Sequence, residues 1–580
     1  MARPTARDSR GTRPARPGYV EREHTAAPGR WAWLAFAFTV IVVVVVFGWR
    51  YLGDGGLTEI LGPGDPVPGG VLRFGMGDPA GLDPRLAQDP ESRQAVQLLF
   101  DGLTALDPVT GEVVPAVATS WSSEESATVF RFALSADARF HDGTPVTAVD
   151  FKYAWERLVD PKVTKGVGPL SYMLEIVEGY EELTAGKATE LSGLRVIDDV
   201  TFEVRLRESY ADLPYLVAHP ALSPVPRDRV RKDPAAFAKR PVGNGPFKLD
   251  SPWRKGVGAK LTRFDAYHGR PAYLDGVQLV AFDDDGAAWR ALQTEKIDFA
   301  SVPVSADAEA LEALGKSENG YTAAPGKRFL FGAECGTYYI ACNLKDPLIA
   351  KAEVRRALSL AIDRAAIGAE VYGGTRRAAD GIVAPGAEGY REGAWPYSRF
   401  DVAAAKKALA KAGYPNGNGM PEVRLAYNSG SENEAVAKAT RTQWAAIGIR
   451  TRLEAAEFSE HLDRADQGDF QLVRLGLRPD RPTHDAFLTT LFAGSSGDNV
   501  SGYSVEEVDA ALATARATAD AEERLSIYRG VDKKVASDLP VIPMLFYGHH
   551  HGVSRRVANL TLGSSGFAAL EKTWLLKGGK

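Results

Sequence analysis

The pattern of apolar and polar positions predicts a chain that alternates between strands and helices after residue 70. Residues 128–134 and 201–206 have strand character. Apolar residues at helical spacing predict helices over residues 403–412, 431–446, 505–517 and 521–537. Gly413, with a proline two positions later, supplies a stop for the first of these helices. Alternation of this kind is typical of a mixed α/β protein.

A tight turn followed directly by a capped helix is the most distinctive local pattern. Asp142 and Gly143 form a turn dipeptide between two β-prone segments. Thr147 then occupies the N-cap position, and Asp150, three residues later, takes the place of the capping-box acid. The sequence therefore predicts an amphipathic helix that runs from this box to about residue 158.

A run of apolar residues without any charged side chain, residues 31–49, precedes the α/β region. As a helix it would be about 28 Å long, close to the thickness of the hydrocarbon core of a bilayer. Arginines precede the run and acidic residues follow it, so the positive-inside rule places the N-terminus in the cytoplasm. We expect a disordered basic tail at residues 1–30, a transmembrane anchor at 31–52 and a flexible tether at 53–69. A cleaved signal peptide is the alternative, although no small-residue cleavage site follows the run.

Composition and charge narrow the functional classes. The 580 residues are 45% hydrophobic and 25% charged, which is enough for two or three cores. A net charge of -5 gives no electrostatic case for a nucleic-acid partner. Cys335 and Cys342 lie about 23 Å apart along one strand-like segment and point to opposite faces. We therefore expect two unpaired, buried thiols.

The sequence lacks the familiar motifs of catalysis and metal binding. There is no nucleophile elbow, phosphate loop or HExxH helix, so we expect no catalytic residues and no cofactor. In the run His549-His550-His551, only the first and third side chains could share one face of a strand. No cysteine or acidic ligand stands at metal-site spacing nearby, so no metal site is expected there.

Short sequence blocks follow one another along the soluble part of the chain. They include Leu-Asp-Pro at 82–84, Phe-Asp-Gly-Leu at 100–103 and Pro-Val-Ile-Pro at 540–543, with others at 115–121, 140–161, 241–247, 354–364 and 401–415. In this order the blocks resemble the large extracytoplasmic solute-binding proteins that serve peptide and nickel ABC importers. The resemblance spans about residues 70–575, and so many blocks in one order make it specific.

The resemblance implies a two-lobed periplasmic-binding-protein-like α/β fold with an extra insert domain, preceded here by one transmembrane helix. Lobe I would comprise residues 70–113, 239–331 and 541–575, the insert domain 114–238, and lobe II 332–540. The chain would cross between the lobes near residues 332–336 and 539–543. Lobes of this kind close over a ligand by hinge bending.

The same resemblance implies a ligand-binding segment in lobe II. Asp480 falls on the acid that binds the amine of the ligand in oligopeptide and dipeptide binders. Gly476 and Arg478 fall on the positions that pair with the ligand backbone. Leu477 replaces the usual tryptophan, and Arg481 replaces the aromatic residue after the acid. A loop cap or a surface ion pair is the alternative role for Asp480.

Further contacts are expected at both ends of the ligand. Asp78, Ala80 and Gly81 match the backbone-contacting turn of the facing lobe, where small residues permit close approach of a ligand main chain. Arg474 could meet a peptide carboxylate through charge-assisted hydrogen bonds. A structural ion pair is the alternative for Arg474.

The implied function is that of a membrane-anchored substrate-binding component of an ABC importer. It would capture extracytoplasmic peptides by lobe closure, as a monomer, and deliver them to the permease subunits. Its expected location is the cell membrane, single-pass, with the binding domain in the periplasm or at the cell surface. The alternatives are a nickel chelate, an oligosaccharide or another small solute as cargo on the same fold, or a tethered peptide sensor.

Overall fold

A computed structural model describes residues 66–124, 126–166 and 168–576 of the chain. None of the helices in these ranges is both long and apolar enough to cross a membrane. The predicted tail and anchor, and most of the predicted tether, lie outside the described residues.

The strands are numbered in chain order. They are β1 Val71–Met76, β2 Thr104–Leu106, β3 Val113–Pro115, β4 Ala118–Glu124, β5 Val129–Leu134, β6 Leu194–Asp198, β7 Thr201–Arg205, β8 Phe247–Leu249, β9 Gly258–Arg263, β10 Gly276–Ala281, β11 Phe299–Ser301, β12 Phe329–Cys342, β13 Val423–Asn428, β14 Thr451–Ala456, β15 Leu472–Leu477, β16 Val541–Val553, β17 Val557–Ala558, β18 Thr561–Leu562, β19 Ala568–Ala569 and β20 Trp574–Leu575.

The helices are numbered in the same way. They are α1 Pro90–Leu99, α2 Ala148–Val159, α3 Pro161–Thr164, α4 Tyr180–Thr184, α5 Leu213–Leu216, α6 Arg227–Lys232, α7 Pro234–Lys239, α8 Asp285–Gln293, α9 Asp307–Leu314, α10 Ala352–Leu360, α11 Arg364–Tyr372, α12 Val402–Lys411, α13 Ser431–Ala445, α14 Phe458–Asp466, α15 His484–Phe492, α16 Glu506–Ala517 and α17 Ala521–Asp538. Short 3-10 helices lie at Pro84–Leu86, Ser171–Leu174, Pro220–Leu222, Val304–Ala306 and Pro415–Gly417.

One long mixed sheet organises the molecule. Its ten strands lie in the order β14-β13-β15-β12-β16-β11-β1-β10-β9-β8. We call β11, β1, β10, β9 and β8 the first half-sheet, and β12, β13, β14 and β15 the second half-sheet. β1 pairs in parallel with β10, and β13 in parallel with β14, whereas β12 pairs antiparallel with β15. A separate four-stranded antiparallel sheet, β4-β5-β7-β6, lies within the predicted insert domain.

The two half-sheets are joined by the long strands β12 and β16, which have 14 and 13 residues. Their antiparallel register shifts between Ala333, opposite Gly548, and Thr337, opposite Phe546. Residues 334–336 therefore bulge opposite Tyr547, and such a bulge bends the strand pair. The bulge lies in the first of the two segments where the chain is predicted to cross between the lobes, residues 332–336. Its partner on β16 is Tyr547, which lies outside the second predicted crossing segment at 539–543.

Residues on alternate positions of β12 enter two different cores of the second half-sheet. Tyr338 and Ile340 pack in one core, whereas Tyr339 and Ala341 pack in the other, as the two-residue period of a strand requires. The residues of β16 up to Tyr547 pack in the same two cores, which therefore extend past residue 541, the predicted start of the last part of lobe I. A further core joins the first half-sheet to the four-stranded sheet.

The cysteines belong to these two cores. Cys335 lies in one and Cys342 in the other, and both are buried and unpaired. The expectation of two separate thiols is confirmed. Burial raises the pKa of each thiol to about 12, so both are protonated at neutral pH.

The predicted local elements are present. The backbone N–H of Thr147 donates to the carboxylate of Asp150 at 3.0 Å, and the capping box before α2 is complete. The four predicted helices in the second half of the chain begin and end within two residues of α12, α13, α16 and α17. Capping and amphipathic spacing act within one or two turns, which explains why these boundaries can be predicted without tertiary contacts.

Candidate ligand-binding site

β15, which carries three of the eight predicted ligand residues, has a free edge over part of its length. It pairs with β12 from Leu472 to Leu477, but with β13 only at Leu472 and Val473. On the β13 side, residues 475–477 therefore have no strand partner within the described part of the chain. An extended peptide can add to such an edge through main-chain hydrogen bonds.

Gly476 is required by the packing beneath this edge. A Cβ atom at Gly476 would lie 2.0 Å from the Tyr547 hydroxyl oxygen. A Cβ atom at Gly336, in the bulge of β12, would lie 2.8 Å from Cγ of Arg478 and 3.0 Å from Cδ2 of Tyr547. Glycine at both positions lets the Tyr547 ring and the Arg478 side chain pack against the strands.

Three arginines stack on three tyrosines next to this edge. Arg474 lies over the ring of Tyr338, with its Cζ atom 4.1 Å from the ring centroid. The Cζ atom of Arg478 is 4.1 Å from the Tyr547 centroid. We define the arginine–tyrosine cluster as Arg376, Arg474, Arg478, Tyr338, Tyr372 and Tyr547.

Arg376, from the loop after α11, completes the cluster. Its Cζ atom lies 3.9 Å from the ring centroid of Tyr372 and 5.1 Å from that of Tyr547. Nη2 of Arg474 lies 3.4 Å from the Tyr547 hydroxyl. All three guanidinium groups therefore contact Tyr547, at the point where the chain crosses between the half-sheets.

The arginine–tyrosine cluster carries more positive than negative charge. Arg376 lies 3.7 Å from Glu432, and Arg478 lies 3.3 Å from Glu334. Arg474 donates to Asn428 at 2.9 Å and forms no ion pair with any described residue. Burial raises the pKa of Glu334, although Arg478 opposes that shift. Two carboxyl groups thus face three guanidinium groups.

Asp480 lies beyond the end of β15. Its negative charge is already neutralised by residues from outside the second half-sheet. Nη2 of Arg93, on α1, lies 2.7 Å from Oδ1 of Asp480. The hydroxyl of Tyr172 donates to Oδ2 at 2.5 Å. The Asp480 side chain is only 22% exposed. The predicted amine-binding acid therefore holds an internal cation and a phenol.

The electrostatics of Asp480 follow from this pair. Burial alone would raise its pKa, but His219, Arg93 and the Tyr172 hydroxyl outweigh that effect, and the pKa is lowered. Burial lowers the pKa of His219 to about 3, so His219 is neutral near pH 7. Arg93 therefore supplies the positive charge that keeps Asp480 ionised at neutral pH.

Arg481, which replaces an aromatic residue of the resemblance, lies over a ring of the predicted insert domain. Its Cζ atom lies 5.5 Å from the ring centroid of Tyr210. Nearby, Arg524 pairs with Asp212 at 3.0 Å with both side chains buried. These contacts join the segment at 210–212 to the helices of the second half-sheet.

The predicted residues of the facing turn have mainly structural partners. The Asp78 carboxylate accepts hydrogen bonds from Nε1 of Trp253 at 2.8 Å and from the backbone of Gly256 at 2.9 Å. Gly81 donates to the Ser92 hydroxyl at 3.2 Å, beside Arg93 in sequence, and Ala80 is exposed. Asp78 thus fastens a hairpin loop, and the roles of Ala80 and Gly81 toward a ligand stay predictions.

Six residues of this site were not predicted from the sequence: Arg93, Tyr172, Tyr338, Tyr372, Arg376 and Tyr547. Arg376 follows a Gly-Gly-Thr segment directly after α11, and Tyr547 follows the Pro-Val-Ile-Pro block. The sequence around neither residue contains a pattern that predicts ligand binding, because both residues join the site through contacts between distant strands and loops.

The histidine run has ordinary structural contacts. Nε2 of His549 lies 2.9 Å from the carbonyl oxygen of Gly320, and His551 stacks on Phe299 with centroids 5.0 Å apart. Burial lowers the pKa of His549 to about 4. No group of three potential metal ligands occurs among the described residues.

Comparison with known protein families identifies the chain. The profile of the bacterial extracellular solute-binding proteins, family 5 (middle region), matches residues 112–499. The chain belongs to this family. As a family 5 protein it is an extracytoplasmic solute-binding protein and not an enzyme. The resemblance drawn from the sequence blocks is confirmed.

Individual family 5 proteins show the same likeness over nearly the whole described region. The dipeptide-binding protein DppE of Bacillus subtilis is 27% identical over 505 residues, covering 85% of this chain and 90% of DppE. The probable deoxycholate-binding periplasmic protein YgiS of Escherichia coli is 30% identical over 495 residues, covering 83% of this chain and 88% of YgiS. The unliganded open form of the murein tripeptide-binding protein MppA superposes with a TM-score of 0.78 at 25% identity, covering 88% of this chain and 97% of MppA.

Proposed function

We propose that this family 5 protein is the peptide-binding component of an ABC importer. The observation that carries the proposal is the unpaired edge of β15 at residues 475–477, between a cationic cluster and an acid. A peptide bound in an extended conformation satisfies its own amide groups by pairing with such an edge. The names of DppE and MppA, which refer to a dipeptide and a tripeptide, support this class of cargo.

The position of the bulge supports closure of two lobes over the cargo. We place the hinge at residues 334–336 and Tyr547, so that lobe II ends near residue 547 instead of 540. The likeness to an open, unliganded relative supports an arrangement that has yet to close. Cargo would favour closure by contacting both sides of the hinge at once.

We further propose a membrane anchor at the N-terminus and a permease as the partner. Residues 31–52 would hold the binding domain at the membrane, with residues 1–30 in the cytoplasm, and the closed protein would deliver its cargo to the permease subunits. A nickel chelate, an oligosaccharide or another small solute is the alternative cargo, and a tethered sensor is the alternative role.

Calorimetry with the full-length protein in detergent tests the proposal. A random tripeptide library with free ends should bind and should raise the midpoint of thermal unfolding, because ligand that binds only the folded state stabilises it. Mass spectrometry of compounds released from the freshly purified protein should find peptides. A sugar or a metal chelate in that fraction, together with no binding of the library, would contradict the proposal.

A further inference from the structure

A cavity of about 200 Å³ lies at one edge of the first half-sheet and shares no residue with the arginine–tyrosine cluster. β1 runs parallel to β10 and to β11, so the carboxyl ends of these three strands meet at this edge. The wall is completed by α1, by the start of α8 with the loop before it, and by residues 566–567. In open α/β sheets, ligands bind in the crevice outside the carboxyl ends of the strands.

The charged side chains of this cavity are all acidic. Four carboxylates line it: Glu91, Asp283, Asp284 and Asp285. None of them forms an ion pair with any residue that the structure describes, and none of the described lining residues is a lysine or an arginine. Asp284 caps α8, since its carboxylate accepts from the backbone N–H of Ala287 at 2.7 Å. The other carboxylates keep their negative charge without a cation beside them.

The carboxylates are crowded as well as unpaired. Burial raises the pKa of Glu91, and the charges of Asp89 and Asp285 add to this rise. Burial also raises the pKa of Asp285, with a further contribution from Asp284. A Cβ atom at Gly77 would lie 3.1 Å from Oε1 of Glu91, so glycine at the end of β1 leaves room for this carboxylate. A cation in the cavity would relieve the repulsion between these groups.

A histidine in the wall of the cavity also lacks a partner. Nδ1 of His551 is buried and has no hydrogen-bond partner within the described part of the chain. Burial holds the pKa of His551 well below its usual range, so the ring is neutral near pH 7 and can accept a hydrogen bond. A buried polar atom left unpaired costs about 1–3 kcal/mol. A donor that enters the cavity can recover part of this cost.

The remaining wall suits the stem of a long side chain. Its large apolar members are Phe74, Met76, Phe282, Phe299 and Phe567. Lysine and arginine pack their methylene groups along such apolar surface and keep the charged group in a polar environment. The volume of about 200 Å³ holds roughly six groups the size of a water molecule, which is enough for the side chain of lysine.

The cavity adjoins the proposed peptide site. A Cβ atom at Gly566, in its wall, would lie 3.1 Å from Oε1 of Glu334. Glu334 in turn pairs with Arg478, which follows the free edge of β15 directly. Helix α1, which forms another part of the wall, carries the arginine that pairs with Asp480. A side chain that projects from a peptide on the free edge therefore has the cavity as a neighbour.

We propose that this cavity binds the basic side chain of a cargo peptide, a lysine or an arginine, with Glu91, Asp283 and Asp285 as the partners of its charged group. The inference rests on the proposed peptide function and adds a side-chain preference to it. The alkyl stem packs on the phenylalanines, and the ammonium or guanidinium group donates to the carboxylates. Peptides with a basic residue then bind more tightly than the same peptides with a neutral one.

Four tripeptide libraries test the inference. They differ at one position, varied in turn, which holds lysine, arginine, norleucine or glutamate, and norleucine keeps the alkyl stem of lysine without its charge. Calorimetry with the full-length protein in detergent should show that the lysine and arginine libraries bind at least about tenfold more tightly than the norleucine library, and the glutamate library more weakly. Equal affinities for lysine and norleucine would overturn the inference while leaving the peptide function intact. Failure of every library to bind would contradict the proposed function and the inference with it.

Substitutions locate the preference in the cavity. Glu91→Gln and Asp285→Asn should each lower the ratio of the lysine to the norleucine affinity about three- to tenfold, because each removes one carboxylate. Both should keep or raise the midpoint of thermal unfolding without cargo, which separates loss of charge from misfolding. The control is Glu312→Gln, an exposed acid of α9, which should leave the ratio unchanged. A wild-type ratio in both cavity variants would overturn the inference.

n-Butylammonium, the side chain of lysine without its backbone, separates a free cation from a peptide side chain. Titrated alone into the same protein, it should bind at least about a hundredfold more weakly than the lysine library, because the peptide backbone contributes most of the affinity. Equal affinity would mean that the cavity holds a free organic cation, and it would overturn the assignment to a peptide side chain.

Discussion

Asp480 and the arginine–tyrosine cluster, the acidic and the cationic end of the site, receive their partners from different parts of the molecule. The partners of Asp480 come from α1 and from the 3-10 helix at Ser171–Leu174, whereas the arginine–tyrosine cluster is built from the second half-sheet and the loop that follows α11. The acid is therefore satisfied without cargo, and the cluster retains a surplus of positive charge. A charged residue at a ligand position of a family is available to a ligand only if the rest of the protein leaves it unpaired.

The largest expected effect comes from filling the space beneath the free edge. In Gly476→Val the new side chain would collide with the Tyr547 hydroxyl, which a Cβ atom alone already approaches to 2.0 Å. Overpacking of this kind costs about 1–3 kcal/mol, and calorimetry should show a loss of peptide affinity of about 10- to 100-fold. The matched control is Gly497→Ala, where nothing lies within 4 Å of the added atom. Unchanged affinity in Gly476→Val would show that Tyr547 does not shape the site.

A smaller effect on peptide affinity is expected from removing the arginine that pairs with Asp480. Arg93→Gln removes the cation 2.7 Å from Asp480 and leaves a partly buried carboxylate in need of a positive partner. We compare the affinity for peptides with a free amine with the affinity for their N-acetylated forms. The ratio of these two affinities should be about five- to tenfold higher in the variant than in the wild type. Arg195→Gln, on β6 of the four-stranded sheet, is the control. An unchanged ratio would mean that Asp480 does not receive the amine even when it is free.

The smallest effect concerns pH and the free energy of unfolding. The pKa of Asp480 is lowered in the folded protein, so its ion pair stabilises the fold at pH values above the unfolded pKa of about 3.9. This contribution is lost as pH falls through the lowered folded pKa. Asp480→Asn should therefore be less stable than the wild type by about 0.5–1 kcal/mol at pH 6, and the difference should vanish toward pH 2. Urea unfolding at both pH values measures it, and a difference that grows on acidification would contradict the assignment.

The sequence predicts those parts of the protein that local chemistry determines. The capping box of α2, the ends of α12, α13, α16 and α17, and the unpaired thiols follow from patterns within a few residues. The position of β15 and its glycine follow from the family resemblance.

The partners of the site could not be predicted, because they are distant in the chain. Arg93 and Tyr172 lie 387 and 308 positions from Asp480, and Tyr547 lies 73 positions from Arg474. Hydrophobic periodicity and motif spacing carry no information about contacts of this range. The end of lobe II stays a prediction, and the pairing of β16 with β12 shows that the two cores of the second half-sheet reach Tyr547.

A crystal structure of the protein with a bound tripeptide of free ends tests the central claim most directly. We predict a peptide backbone paired with the free edge at residues 475–477 and its carboxylate within hydrogen-bonding distance of Arg376, Arg474 or Arg478. A peptide bound elsewhere, or one held at Asp480 with its carboxylate in solvent, would contradict the account.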